Sequence, residues 1–276
     1  MWHRRTIGEF DWLDATTFSC FSRRVMSRSA AFTAVLTTVL ATVLVAAASG
    51  CYVRPTTPDA TVRPVTRVTH IYGDSTLIEV KDELRRLRPG IDIVSIAGTS
   101  PCNHLPAMLA AVKHGERVVL AFTGVGALGQ TGSCMFGRDA DSQIGRSYVA
   151  DIAKVVAAAH DPYGQVVIAL SPTWRDAMTR SLNVRNELIH AADVWRIRIV
   201  DAAEWVTPNG VYSDTAPAWP GESPQANGIV RLRGPDGGHQ CLTQSPNRTL
   251  TGPSCDASTS PGVQRYALGL AQAVSV

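Results

Sequence analysis

Between residues 68 and 200 the chain alternates five short apolar runs with stretches of helical spacing, an order that leaves few architectures open. The runs cover 68–72, 91–96, 117–123, 165–170 and 197–200 and read as strands. Val118-Val119-Leu120-Ala121-Phe122 has no polar residue, which fits a strand covered on both faces. Helical spacing is predicted over 77–87, which stops before the breaker pair Pro89-Gly90, and over 105–113, 142–160, 183–192 and 263–273. In 142–160 the residues Ile144, Val149, Ile152, Val155 and Val156 fall roughly on one face. Such alternation predicts an α/β fold, a parallel sheet covered by helices on both sides and joined by right-handed crossovers. Ligands of open parallel sheets bind beyond the carboxyl ends of the strands. That rule brings Ser75, Gly98 and Gly124 to one rim, because each follows a predicted strand. Residues 205–240, rich in Pro, Gly and Asn, read as irregular.

The chain ahead of this pattern reads differently. Residues 30–50 hold no charge and follow Arg23, Arg24 and Arg28, a basic flank and apolar run that mark a secretory signal or a membrane anchor. The run ends in Ala48-Ser49-Gly50-Cys51, which resembles a bacterial lipobox, so Cys51 is a candidate lipid anchor; an uncleaved span is the rival reading. Ser22-Arg23-Arg24 has a faint twin-arginine look. Residues 1–25 fit no export signal and form an N-terminal extension, with Met26 as an alternative start. The expected organisation is an extension over 1–25, a signal or anchor over 26–50, a Pro/Thr-rich tether over 51–66 and one domain over 67–276. The net charge of +3 is weak and partly borne by these leading arginines, so no nucleic-acid partner is expected.

Four of the six cysteines, Cys102, Cys134, Cys241 and Cys255, fall in the expected domain, and none shows metal or redox CxxC spacing. In an oxidising compartment the simplest pairing is local, Cys102 with Cys134 and Cys241 with Cys255. Sequence permits two other pairings, and four free buried thiols are the plain alternative.

A serine hydroxyl becomes nucleophilic only when a base takes its proton. Ser75 stands between a strand and a helix, where free backbone N–H groups favour developing negative charge. A base and a carboxylate come together in Asp236-Gly237-Gly238-His239: the imidazole can shuttle a proton, and Asp236 can hold its tautomer. The plain alternatives are a helix N-cap for Ser75 and a loop histidine for His239.

Ile71-Tyr72-Gly73-Asp74-Ser75 resembles the first block of the SGNH/GDSL hydrolase family, and Asp236-Gly237-Gly238-His239 resembles its last. Gly98 stands where the family has its second-block glycine. The chain is most similar to actinobacterial secreted members and to SGNH domains of membrane acyltransferases, through Gly98-Thr99-Ser100-Pro101-Cys102, Cys134-Met135, Cys241 and Arg265-Tyr266-Ala267. The likeness covers about residues 67–276. It implies a flavodoxin-like three-layer α/β/α sandwich with a five-stranded parallel sheet. It also implies a catalytic set of Ser75, His239 and Asp236, with Asp74 as a structural turn residue and an oxyanion hole from the N–H groups of Ser75 and Gly98.

One departure stands out. The family's third block carries an asparagine that donates to the oxyanion, and that position falls here on Val125 or Gly126, within a substrate loop of Gly124, Val125 and Gly126. Neither has a side-chain donor, and Asn103 is the candidate replacement. Gly124-Val125-Gly126-Ala127-Leu128-Gly129 also fits GxGxxG, but a loop rather than a helix follows it, so no nucleotide is expected. His104, His114, His160 and His190 lack metal spacing, and His70 reads as a strand residue. Trp174, Trp205 and Trp219 lie in loops or near element ends, where ordinary packing is their plain role and lining a substrate cleft the functional alternative. No cofactor or metal is expected.

These readings converge on an exported serine esterase or acyltransferase, a monomer acting on a small acyl ester, on envelope glycan or lipid. It would be held at the membrane through its N-terminal segment or a lipid on Cys51, or else secreted. The alternative is a surface-tethered SGNH-fold glycan-binding module with weak or no catalysis.

Overall fold

The computed structural model describes residues 67–125, 134, 143–225, 227–242, 255 and 257–276. The expected export segment, the tether, Cys51 and Gly126 lie outside the described residues.

Five parallel strands form the main sheet: β1 (Thr69–Gly73), β2 (Asp92–Ser95), β3 (Arg117–Ala121), β4 (Val166–Ala169) and β5 (Arg198–Val200), in the order β2-β1-β3-β4-β5. Along the strands, alternate side chains point to opposite faces. Ile71, Val119, Ala121, Val167 and Ala169 face one side, and Tyr72, Val118, Leu120, Val166 and Ile168 the other. Both sets are buried, which explains apolar runs without alternation. The first face is covered by α1 (Ser75–Leu87) through Leu77, Val80 and Leu84, and by α6 (Pro261–Ala273) through Val263, Tyr266 and Leu270. The second is covered by α2 (Pro101–Lys113), α3 (Ile144–Ala158) and α5 (Met178–Trp195), through residues such as Met108, Tyr148, Ile152 and Leu188. A one-turn helix, α4 (Pro162–Gln165), precedes β4. This is the three-layer α/β/α sandwich expected from the alternation.

The chain leaves β1 for β2 on one side and then returns past β1 to β3 on the other. Strand order therefore reverses between β1 and β3, and at such a switch point the loops part into a crevice. Ser75 follows β1 there, and Thr123 and Gly124 follow β3.

Three expectations need correction. The second helix starts at Pro101 rather than 105: proline suits a first helical position, and Asn103 Oδ1 accepts the Ser100 N–H at 3.1 Å, capping that end. The helix expected over 183–192 extends to Met178–Trp195, because its ends carry polar residues that do not break a helix but blur its periodicity. The segment 205–240 is not wholly irregular. It holds a 3-10 turn (Pro208–Gly210) and two antiparallel strands, β6 (Thr215–Pro217) and β7 (Ile229–Arg231). Strands of three residues are too short to show a period of two, and Pro217 hides the first.

Candidate active site

Helix α1 begins at Ser75 because Asp74 caps it. Asp74 Oδ1 accepts the Thr76 N–H at 3.1 Å and the Thr76 hydroxyl at 2.9 Å. Its Oδ2 accepts the Thr123 N–H at 2.8 Å and the Thr123 hydroxyl at 2.6 Å. One buried carboxylate thus ties the start of α1 to the loop after β3. Ser75 is therefore the first helical residue and not the cap. Its hydroxyl is left to face the loop beyond β7, and its N–H, at the first position of a helix, has no intrahelical acceptor.

That loop is built around Asp236. Oδ1 accepts the N–H groups of Gly238 and His239, each at 3.0 Å, and Oδ2 lies 2.5 Å from His239 Nδ1. A carboxylate there accepts the Nδ1 proton, which leaves the Nε2 lone pair facing outward. Ser75 Oγ lies 2.9 Å from Nε2 and donates to it. Three residues from two ends of the chain are joined in one line of hydrogen bonds.

The loop is held from below. Arg233 is fully buried and donates to the Gly238 carbonyl at 2.9 Å and to the Thr173 carbonyl at 3.1 Å. Burial lowers its pKa to about 10, and it remains a cation near neutral pH. The Gly234 N–H donates to the His239 carbonyl at 2.7 Å, and the Arg175 N–H to the Gly237 carbonyl at 3.2 Å. The Trp174 ring meets the imidazole edge to face at 4.7 Å between centroids. A Cβ on Gly238 would stand 2.2 Å from that indole, so only glycine permits this approach.

Burial pulls the His239 pKa down, but the Asp236 hydrogen bond and then the Glu79 charge outweigh it, and the net shift is upward. Asp236 moves the other way. Burial would raise its carboxyl, yet the bond from His239, the imidazole's charge and the two loop N–H groups hold it well below the usual carboxylate range.

Gly98 lies in the turn between β2 and α2 at φ +71°, a backbone region that favours glycine. Val125 contributes no side-chain donor, and its N–H goes to Thr123 Oγ1 at 3.3 Å. Asn103 Oδ1 accepts from Ser100 N–H and, at 3.4 Å, from Cys134 N–H, so any donation from Asn103 to an oxyanion would fall to its Nδ2.

Cys102 is bonded to Cys134 and Cys241 to Cys255, the local pairing among those the sequence permits. Glu79 lies against the second bridge, but both sulfurs are consumed there and cannot bind a metal. The other singled-out residues make contacts of their own. His104 is buried against Thr99 Oγ1, and His70 bridges Asp92 and Glu116. His114, His160 and His190 are exposed. Trp205 and Trp219 pack edge to face, with Arg265 over the second ring. Sequence reasoning gives Glu79 and Arg233 no part in the site, because a lone charged residue beside a motif reads as a solvated one; Trp174, which could line a cleft by its position, packs on the His239 ring.

No protein-family model and no curated protein matches the chain. Among solved structures it is similar to a protein of the G-D-S-L family from Desulfitobacterium hafniense DCB-2, described as lipolytic, at 12% identity and TM-score 0.45, covering 75% of this chain and 99% of that one. It is similar also to the C-terminal catalytic domain of peptidoglycan O-acetyltransferase A from Streptococcus pneumoniae, at 13% identity and TM-score 0.41, covering 77% and 94%. Phospholipase A1 from Streptomyces albidoflavus NA297 aligns at 11% identity and TM-score 0.38, covering 73% and 98%. At these values the functional reading rests on the geometry of the site.

Proposed function

We propose that the chain is a serine ester hydrolase of SGNH/GDSL type, exported, and acting on a small acyl ester carried by envelope glycan or lipid. The observation that carries the reading is the line Ser75–His239–Asp236, with a hydroxyl donating to an imidazole whose other nitrogen is held by a carboxylate.

Ser75 Oγ attacks the ester carbonyl as its proton passes to His239 Nε2. Asp236 steadies the imidazolium. The carbonyl oxygen takes up negative charge, and the N–H groups of Ser75 and Gly98 are its donors. Collapse of the tetrahedral intermediate breaks the bond to the leaving alcohol, which takes the proton from His239 and leaves the acyl group on Ser75. Water then gives a proton to His239 and attacks, restoring Ser75; a sugar hydroxyl in place of water makes the same cycle an acyl transfer. Export is supported by the uncharged run over residues 30–50 and by the two disulfides, which persist in oxidising compartments.

The test is hydrolysis of a short-chain chromogenic ester by the full chain beside Ser75→Ala. Turnover in the first and its loss in the second, by about a thousandfold or more, is expected. Equal rates overturn the reading.

A second reading has one observation in its favour. Val125 brings no side-chain donor, and loss of an oxyanion donor costs about 100- to 1000-fold in rate. A surface-tethered binding module would hold acylated glycan with equal affinity in Ser75→Ala and release no acid.

A further inference from the structure

Glu79 lies one helical turn beyond Ser75 on α1, so the two share a face of the helix. It is fully buried. A carboxylate in such surroundings is costly unless donors meet it. Its Oε2 accepts the N–H of Gln240, the residue after His239, at 2.7 Å. Its own backbone carbonyl accepts the N–H of Cys255 at 3.1 Å, and Cys255 is bridged to Cys241. One residue on the nucleophile's helix therefore holds positions 240 and 255, and the disulfide closes 241 onto 255. The segment just after the base is clamped to the helix that starts with the nucleophile.

Charges face the imidazole from several elements. Asp236 lies on its own loop, Asp74 caps the start of α1, and Glu79 lies one turn into that helix. Buried Arg233 binds the Gly238 carbonyl, and exposed Arg175 lies over Gly237 with Asp176 as its partner. Asp236 acts through a direct bond. Asp74 spends its oxygens on Thr76 and Thr123, and its field reaches the ring after that of Glu79. Between buried groups such fields are weakly screened.

Resting on the serine-esterase reading above, we propose that Glu79 is a positioning residue of the site, a second carboxylate that sets the His239 loop against Ser75 and stabilises the imidazolium formed during attack. It acts through the Gln240 N–H and through its charge, without touching substrate.

The experiment compares the full chain with Glu79→Gln and Glu79→Ala. The titration of the His239 ring is followed by NMR, together with the pH profile of kcat/KM and the thermal midpoint. Glu79→Gln keeps an acceptor for Gln240 and removes the charge. Its folding should be close to the parent's, while the His239 midpoint and the acid limb of the profile move down together by about half to one pH unit. Its kcat should fall about three- to tenfold. Glu79→Ala should in addition melt earlier. An unmoved His239 midpoint in Glu79→Gln overturns the proposal and leaves Glu79 a structural acceptor. Should that variant not fold, carbon NMR of the Glu79 carboxyl in the parent decides. A neutral carboxyl across the active pH range overturns the proposal, and an ionised one upholds it. Absence of Ser75-dependent turnover in the parent counts against the serine-esterase reading alone, because the titration needs no substrate.

Discussion

His239 has both ring nitrogens engaged within the protein, one toward Asp236 and one toward Ser75. A base must be neutral to accept a proton, and its pKa lies above the ordinary imidazole value of 6.5. On the proposed cycle we expect activity to be lost as pH falls through that raised value. In a plot of kcat/KM against pH, a single proton should leave with a midpoint above 6.5. A midpoint below it would mean that another group governs the acid side. The neighbouring glycine sets how closely the ring is held. Gly238→Ala forces a methyl into the Trp174 indole, so either the indole or the loop must move. Overpacking of this kind costs about 1–3 kcal/mol. Ester turnover should drop more than tenfold, as expected when a base shifts by a fraction of an ångström, and urea denaturation should show the loss of stability.

At the scale of elements, the start of α1 decides whether the Ser75 hydroxyl caps the helix or meets the imidazole. Four donors converge on the Asp74 carboxylate, and it is this convergence that leaves the neighbouring hydroxyl to the imidazole. Asp74→Asn sets an amide N–H₂ against at least one of these donors. An unsatisfied buried donor costs about 1–3 kcal/mol. We expect a fall in denaturation free energy of that size and a larger fractional loss of activity, because the loop carrying Thr123 and Gly124 is released along with the helix start. Preserved stability in Asp74→Asn would show that the cap has a substitute. The pair β6 and β7 leads the chain into Arg233 and the Asp236 loop, so the small sheet missed in the sequence directly precedes the segment that carries His239.

For the whole molecule, two covalent closures lie near the working rim. The bridge Cys241–Cys255 closes a separation of 14 residues and stands two residues past His239; Cys102–Cys134 closes 32 and joins the start of α2 to the segment after β3. In the chain-entropy model closures of these lengths contribute about 3 and 4 kcal/mol. Replacing Cys241 and Cys255 by serine together should lower the denaturation free energy by about 3 kcal/mol and slow turnover, since the base loop loses one of its ties. A variant of that pair with unchanged turnover would show that Glu79 and Arg233 suffice to hold the loop.

The alternation of apolar runs and helical spacing was enough to determine the layered α/β class, because burial of both sheet faces leaves its mark on every strand. The residues that the structure joins by hydrogen bonds were legible too, since Gly73-Asp74-Ser75 and Asp236-Gly237-Gly238-His239 each keep their polar groups within a few positions. Only the tertiary structure decided the rest. Ser75 and His239 are 164 residues apart, and whether they meet depends on the packing that sets the loop after β7 against the start of α1. Glu79, Arg233 and Trp174 acquire their roles from neighbours brought in by folding, such as the Gln240 N–H, the Gly238 carbonyl and the His239 ring. A period in the sequence records which face of an element is buried; it does not record which distant group lies against that face.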